Sequence, residues 1–388
     1  MDFSDSNDLL RFAGERAGEQ ESFVVELCSV NSHTGNGAGT DRVAEMILDE
    51  VGGYFRSHER IAGTESGDHH VLGSGGKRKA VYLTGHLDTV FPPEHPFRDC
   101  TREGDWLRGP GTGDMKGGLA VLVYALKALD ASGLLDRIDL AMILGADEEA
   151  GSSGSRSIYE RERENAAACI CAECAGEKGE FVVSRNGKAG GRIDCAGVQD
   201  HVGRGEGNEK SSAVLALSRA VLELESLNGM FPGVTVNVGR IEGGLGPSTV
   251  PGEAHCLFDM RWRDEVHYGE LLSEARRRVE GRVASGPGCE LEILNHRPAM
   301  PRTEGTERLL AMLEASAGTL GTTISTEHRR GTSDANFFGS AGVPTLDGFG
   351  PLCLGDHTED ERILVPTLAS RTALLAVFLM RLAGQASG

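Results

Sequence analysis

Between Lys79 and Ala172 the chain alternates short β-rich apolar runs with a long stretch of helical apolar spacing, and this alternation restricts the fold more than any other feature. Lys79–Thr84, Ile138–Leu144 and Ala167–Ala172 read as strands, and Gly118–Leu129 reads as a helix. Strands separated by helices are not joined by tight hairpins, so they line up in a mainly parallel sheet covered by helices. In such sheets ligands bind beyond the carboxyl ends of the strands. His86, Glu148, Glu149 and Glu173 all fall there.

From about Gly187 the order changes to strand (Gly191–Ala196), helix (Ser211–Leu227), strand (Val234–Ile241), strand (Ala254–Trp262), helix (Tyr268–Val283) and strand (Cys289–Leu294). This βαββαβ order describes a self-contained, two-layer, ferredoxin-like domain. After Pro298 the α/β pattern resumes with a helix at Thr306–Leu320, a strand near Pro344–Leu346 and an amphipathic helix at Thr367–Leu382. The expected division is therefore a catalytic domain in two parts, 1–186 and 298–388, around an inserted domain at 187–297. A length of 388 residues, more than one comfortable core, agrees with two domains.

Charge narrows the partners. A formal net charge of -19 argues against nucleic acid and anionic membranes, because polyphosphate surfaces attract a basic face. Small-molecule or short-peptide chemistry is the expectation. The first residues, Met1-Asp2-Phe3-Ser4-Asp5, lack the basic and apolar regions of a secretory leader, and no apolar run approaches ~18 residues. A soluble, cytoplasmic protein is expected. The nine cysteines are odd in number and scattered, which predicts reduced thiols rather than a disulfide framework. Cys171 and Cys174 have the spacing of a zinc pair, but no second pair completes a site, so with Cys169 they read as small apolar residues on and after a buried strand.

Five side chains carry the metal chemistry. His86, Asp114, Glu149, Glu173 and His357 supply two imidazoles and three carboxylates, and Glu148 is a carboxylate to spare. That is the donor set of a two-zinc hydrolase. Asp88, two residues beyond His86, is placed to accept the other ring N–H and fix the tautomer. Asp114 lies among glycines 109, 111, 113, 117 and 118 just before a helix, where backbone and ligand approach closely. A helix N-cap explains Asp114 taken alone equally well. A phosphate loop is a second rival, but the Gly-x-x-x-x-Gly-Lys-Ser/Thr order is absent. Asp147, Glu148 and Glu149 are consecutive acids after a buried strand; unless they form a solvated acidic loop, they need cations nearby. With metal present, one glutamate can ligate while its neighbour takes a proton from water.

The chain resembles the M20 family of di-zinc metallopeptidases, which includes glutamate carboxypeptidase, acetylornithine deacetylase, succinyl-diaminopimelate desuccinylase and aminoacylase. The resemblance is carried by Gly85-His86-Leu87-Asp88-Thr89-Val90, Gly109 to Gly118, Asp147 to Ser152, Glu173, Gly331-Thr332-Ser333-Asp334-Ala335 and His357-Thr358-Glu359-Asp360-Glu361. It spans nearly the whole chain. It implies that Asp114 bridges two zinc ions, with cobalt or manganese as alternatives for this chain, that His86 and Glu173 complete one and Glu149 and His357 the other, and that Glu148 is the general base. It also implies that His201, which otherwise reads as a polar turn residue, reaches a partner subunit's site and helps stabilise the oxyanion, so a homodimer is expected.

Two departures bear on the substrate. This chain has His201-Val202-Gly203-Arg204 where relatives have His-Ala-Gly or His-Ser-Gly, and Ser248-Thr249-Val250-Pro251 where relatives often have Asn before Ile-Pro. Asp88 to Pro92, His95-Pro96-Phe97 and Gly151 to Arg156 resemble the glutamate carboxypeptidase branch (carboxypeptidase G2) more than the deacetylases. The expected activity is hydrolysis of a peptidyl or N-acyl amino acid with a free C-terminal carboxylate, with Arg297, and next Arg261, holding that carboxylate. An N-acyl-amino-acid deacylase or desuccinylase is the alternative, and an inactive metal-binding scaffold is the second; the presence of Glu148 speaks against the latter.

Overall fold

A computed structural model describes residues 3–76, 79–204, 211–280 and 288–385. These divide into two compact units. The first comprises Met1–Ser184, Arg302–Arg329 and Ser333–Gly388, and the second Arg185–Pro301 with Arg330–Thr332.

The first unit is built on a six-stranded sheet in the order Ser57–Ile61, His69–Gly73, Leu140–Gly145, Ala80–His86, Ala166–Cys171, Thr345–Leu346. The last four strands of that order run parallel, and the first two form an antiparallel hairpin along one edge. The strand residues alternate between two apolar layers, as a sheet covered on both faces requires. Val81, Leu83, Leu140, Met142 and Leu144 pack with the helix Gly117–Ala131 and the helix Pro366–Gln385 in one core. Tyr82, Ala141, Ile143 and Cys169 pack with Tyr159, Phe337 and Phe338 in the other. Pro366–Gln385 is the one described helix long and apolar enough to cross a membrane. Its buried run Leu375-Ala376-Val377-Phe378-Leu379 is instead part of the core.

Parallel pairing brings the carboxyl ends of the strands to one edge of the sheet. His86 ends its strand, Glu148 and Glu149 follow the strand Leu140–Gly145, and Glu173 follows Ala166–Cys171. Gly118, in the first turn of the helix Gly117–Ala131, packs so tightly there that a Cβ would lie 1.7 Å from the carbonyl oxygen of Ala172. Only glycine lets this helix start against the strand end that delivers Glu173.

The second unit is a four-stranded antiparallel sheet in the order Thr235–Gly243, Glu253–Trp262, Gly187–Ala196, Cys289–Arg297. The helices Ala213–Glu225 and Tyr268–Glu280 complete the βαββαβ sequence, and their residues Leu217, Leu224, Leu271 and Ala275 share a core with Ile193, Phe258, Met260 and Trp262. Residues 281–283, which the periodicity assigns to the second helix, lie outside the described residues. Every second residue of the two central strands enters the core, and the alternate positions carry Lys188, Arg192, Asp194, His255, Asp259 and Arg261.

One expectation is corrected in this unit. Cys195 and Cys289 form a disulfide rather than two reduced thiols. They are register partners on adjacent antiparallel strands, which brings their Cα atoms within 4.1 Å. A separation of 94 residues hides that pairing from any local reading. The seven other cysteines lie outside that disulfide, five of them in the first unit's interior: Cys28, Cys169, Cys171, Cys174 and Cys353.

Candidate metal centre

Asp114 occupies the middle of the site. Its Oδ1 lies 2.9 Å from His86 Nε2, which is also 3.6 Å from Glu173 Oε1. Its Oδ2 lies 3.0 Å from His357 Nε2, which is 3.2 Å from Glu149 Oε2. One carboxylate thus faces a His and Glu pair with each of its oxygens. Donor atoms of His86, Asp114 and Glu149 all lie within 4.8 Å of one another. Asp114 follows the left-handed Gly111, and His357 is itself left-handed with φ of 60°.

Asp88 does more than the sequence suggested. Its buried carboxylate accepts the backbone N–H of Glu148 and of Glu149, each at 3.1 Å, and the hydroxyl of Thr34 at 2.6 Å. His86 Nδ1 is 2.9 Å from the Asp88 backbone carbonyl and 3.4 Å from the carboxylate. The ring is therefore fixed chiefly by the main chain, and the side chain anchors the turn that carries both glutamates.

The electrostatics of the cluster call for positive charge. Burial, and then the charge of Asp114, pushes the Glu149 carboxyl up to about 8 and raises that of Glu173 as well. Burial also works against ionisation of Asp114, but hydrogen bonds from His357 and His86 hold its carboxyl far below the usual range. Bonds to Asp114 and Glu149 push His357 up to about 11, and contacts with Asp114 and Asp88 raise His86 despite its burial. Glu148 is near enough for its charge to raise both Glu149 and Glu173. Glu149 Oε1 is buried with no hydrogen-bond partner among the described residues. Three crowded carboxylates, two imidazoles and an orphaned acceptor oxygen fit divalent cations, which supply the charge and take the free lone pair.

The remaining predicted residues lie on the second unit. His201 is exposed and pairs with Thr249 in a two-residue antiparallel ladder, Asp200–His201 with Thr249–Val250. The two sequence departures are thus direct neighbours. Arg297, at the end of its strand, is 5% exposed, and its guanidinium donates to Thr332 Oγ1 at 3.4 Å. Arg261 donates to the carbonyl of Arg330 at 3.3 Å and to Asp259 at 2.8 Å. Sequence reading passed over Arg185, whose buried guanidinium donates to the carbonyl of Gly331 at 3.2 Å. Three arginines distant in sequence converge on Arg330–Thr332. The nearest sequence signal was Gly331-Thr332 itself, whose role is invisible without the fold.

This α/β architecture with its inserted sheet, and a cluster of His, Asp and Glu at the strand ends, define a metal-dependent hydrolase class. The chain belongs to peptidase family M20/M25/M40, whose sequence pattern matches residues 82–381. It is 25% identical to carboxypeptidase G2 of Pseudomonas sp. (strain RS-16) over 372 residues, covering 92% of this chain and 88% of that protein. It is 29% identical to succinyl-diaminopimelate desuccinylase of Alkalilimnicola ehrlichii over 320 residues, 78% of this chain and 84% of the relative. Among solved structures, aminopeptidase PepT from Bacillus cereus superposes with a TM-score of 0.77 at 21% identity, over 95% of this chain and 99% of that one. The protein is a hydrolytic enzyme of a metal-dependent family.

Proposed function

We propose that the protein cleaves the amide bond of a peptidyl or N-acyl amino acid bearing a free C-terminal carboxylate. The observation that carries this reading is the pair of His and Glu sets flanking Asp114; the second unit separately carries arginines of the kind an anionic substrate needs. His86 and Glu173 would hold one divalent ion and Glu149 and His357 a second, with Asp114 offering one oxygen to each pair; zinc is the first candidate, with cobalt or manganese next. Ions bound there acidify the attacking water towards a pKa of ~7 and polarise the scissile carbonyl. Glu148 takes the proton from that water and returns it to the leaving amine. Asp88 keeps the turn of Glu148 and Glu149 in place through its two N–H bonds. The reading is tested by comparing N-acyl amino acids and dipeptides with their C-terminal amides on zinc-loaded protein. Free acids turning over much faster than amides is the expected result; equal rates refute a carboxypeptidase.

Arg297 is the residue assigned to the carboxylate, because a guanidinium offers two parallel donors to it. A carboxypeptidase among the relatives supports a C-terminal carboxylate as the group to be held. Arg297→Ala is expected to lower kcat/KM by roughly tenfold to a few hundredfold, mainly through KM, as loss of a charged hydrogen bond does. An unchanged kcat/KM on free-acid substrates removes Arg297 from the role. A deacylase of the desuccinylase kind is the second reading, favoured by the higher identity to that relative; succinylated amines tested beside dipeptides decide between the two.

The assembly proposed is a homodimer through the second unit. Thr235–Gly243 is an edge strand of its sheet. On that strand Ile241 is exposed, as are Leu215 and Leu222 on the helix Ala213–Glu225. Unpaired edges and exposed apolar side chains favour a self-complementary, twofold contact. With His201 serving the partner's site, mixing inactive Glu148→Gln and inactive His201→Ala chains restores part of the activity, since one hybrid site holds both native residues. No recovery after verified subunit exchange contradicts that arrangement.

A further inference from the structure

Glu361 is a buried carboxylate that belongs to no ligand set. Its Oε1 accepts the backbone N–H of Gly113 at 2.8 Å and of Asp114 at 3.0 Å, and its Oε2 accepts that of Gly111 at 3.0 Å. Its own carbonyl accepts the N–H of Gly109 at 3.1 Å. The side chain is 1% exposed and reaches across about 250 positions of sequence to the loop that carries Asp114. Glu361 also lies four residues after His357, after a turn and directly before the strand Arg362–Leu364, which pairs with Trp106–Arg108 just before the same loop. Both chain segments that meet at Asp114 Oδ2 are therefore clasped by one carboxylate.

The number of donors explains the residue type. Three N–H groups converge on two oxygens, and an ionised carboxylate presents acceptors only. Glutamine keeps one oxygen and turns an NH2 group against a backbone donor. An alanine leaves three buried N–H groups without a partner. Burial pushes the Glu361 carboxyl up to about 7, and the three N–H bonds act against this by favouring the ionised form.

We infer that Glu361 is a positioning residue of the metal centre: it shapes the Gly111–Asp114 loop so that the two oxygens of Asp114 face His86 and His357 at once. This role rests on Asp114 being the shared ligand. The test measures zinc dissociation constants by chelator competition for the parent, Glu361→Gln and Glu361→Ala, with circular dichroism of the metal-free chains and kcat and KM at saturating zinc. Groups that orient metal ligands typically contribute 10–100-fold in affinity. A loss of about that size is expected for Glu361→Ala and a smaller one for Glu361→Gln, with kcat falling and KM nearly unchanged in both. If the alanine chain does not fold, the near-isosteric glutamine chain gives the answer. Parent-like zinc affinity and kcat in a folded Glu361→Gln chain overturn the role alone. A parent chain that takes up no transition metal overturns the metal-centre reading and this role with it.

Discussion

Glu148→Gln is expected to lower kcat by ~10²-fold or more while leaving metal content and KM close to those of the parent, the usual scale for a lost general base. Glutamine matches the shape of glutamate but cannot accept a proton from water at neutral pH. Its backbone N–H remains bonded to Asp88, so the turn that presents Glu149 keeps its geometry. The measurement pairs elemental analysis of the purified variant with steady-state kinetics. Turnover within a few-fold of the parent removes Glu148 from the role. Loss of metal together with activity makes it a ligand instead.

The other large effect belongs to Asp114. Because each of its oxygens faces a different His and Glu pair, replacing it by alanine is expected to remove a ligand from both of the proposed ions. The parent is expected to carry about two divalent ions per chain, and Asp114→Ala to retain far less than one with turnover below detection. His86→Ala and His357→Ala each keep the opposite pair and are expected to retain about one. Elemental analysis of the three variants after identical dialysis checks the pattern. Equal metal loss in all three speaks for a single ion, and full retention in Asp114→Ala for a site elsewhere.

The portion of this site legible in the sequence is the portion that depends on local chemistry. His86, Glu149 and Glu173 follow apolar runs of strand length, and Asp114 sits among glycines; parallel pairing then brings them to one edge without further information. The antiparallel hairpin Ser57–Ile61 and His69–Gly73 escaped because its outer strand, Ser57-His58-Glu59-Arg60-Ile61, lacks apolar alternation and lies exposed at the sheet edge. Thr34, Arg185 and Glu361 escaped for another reason. Each acts through one to three hydrogen bonds to a segment 54 or more residues away, and such bonds leave no periodicity to read. Asp88 was legible as a partner of His86. Its hold on the Glu148 and Glu149 N–H groups was not, since any carboxylate near a turn can do this and only the fold selects which turn. The disulfide Cys195–Cys289 likewise depends on strand register, which one sequence does not specify.

Zinc titration of chelator-stripped protein, with hydrolysis of an N-acyl amino acid followed at each addition, tests the two-metal account most directly. Negligible turnover is expected in the stripped chain, with recovery that levels off at about two equivalents and cobalt or manganese able to substitute. Full turnover by a chain shown by elemental analysis to hold no transition metal contradicts it.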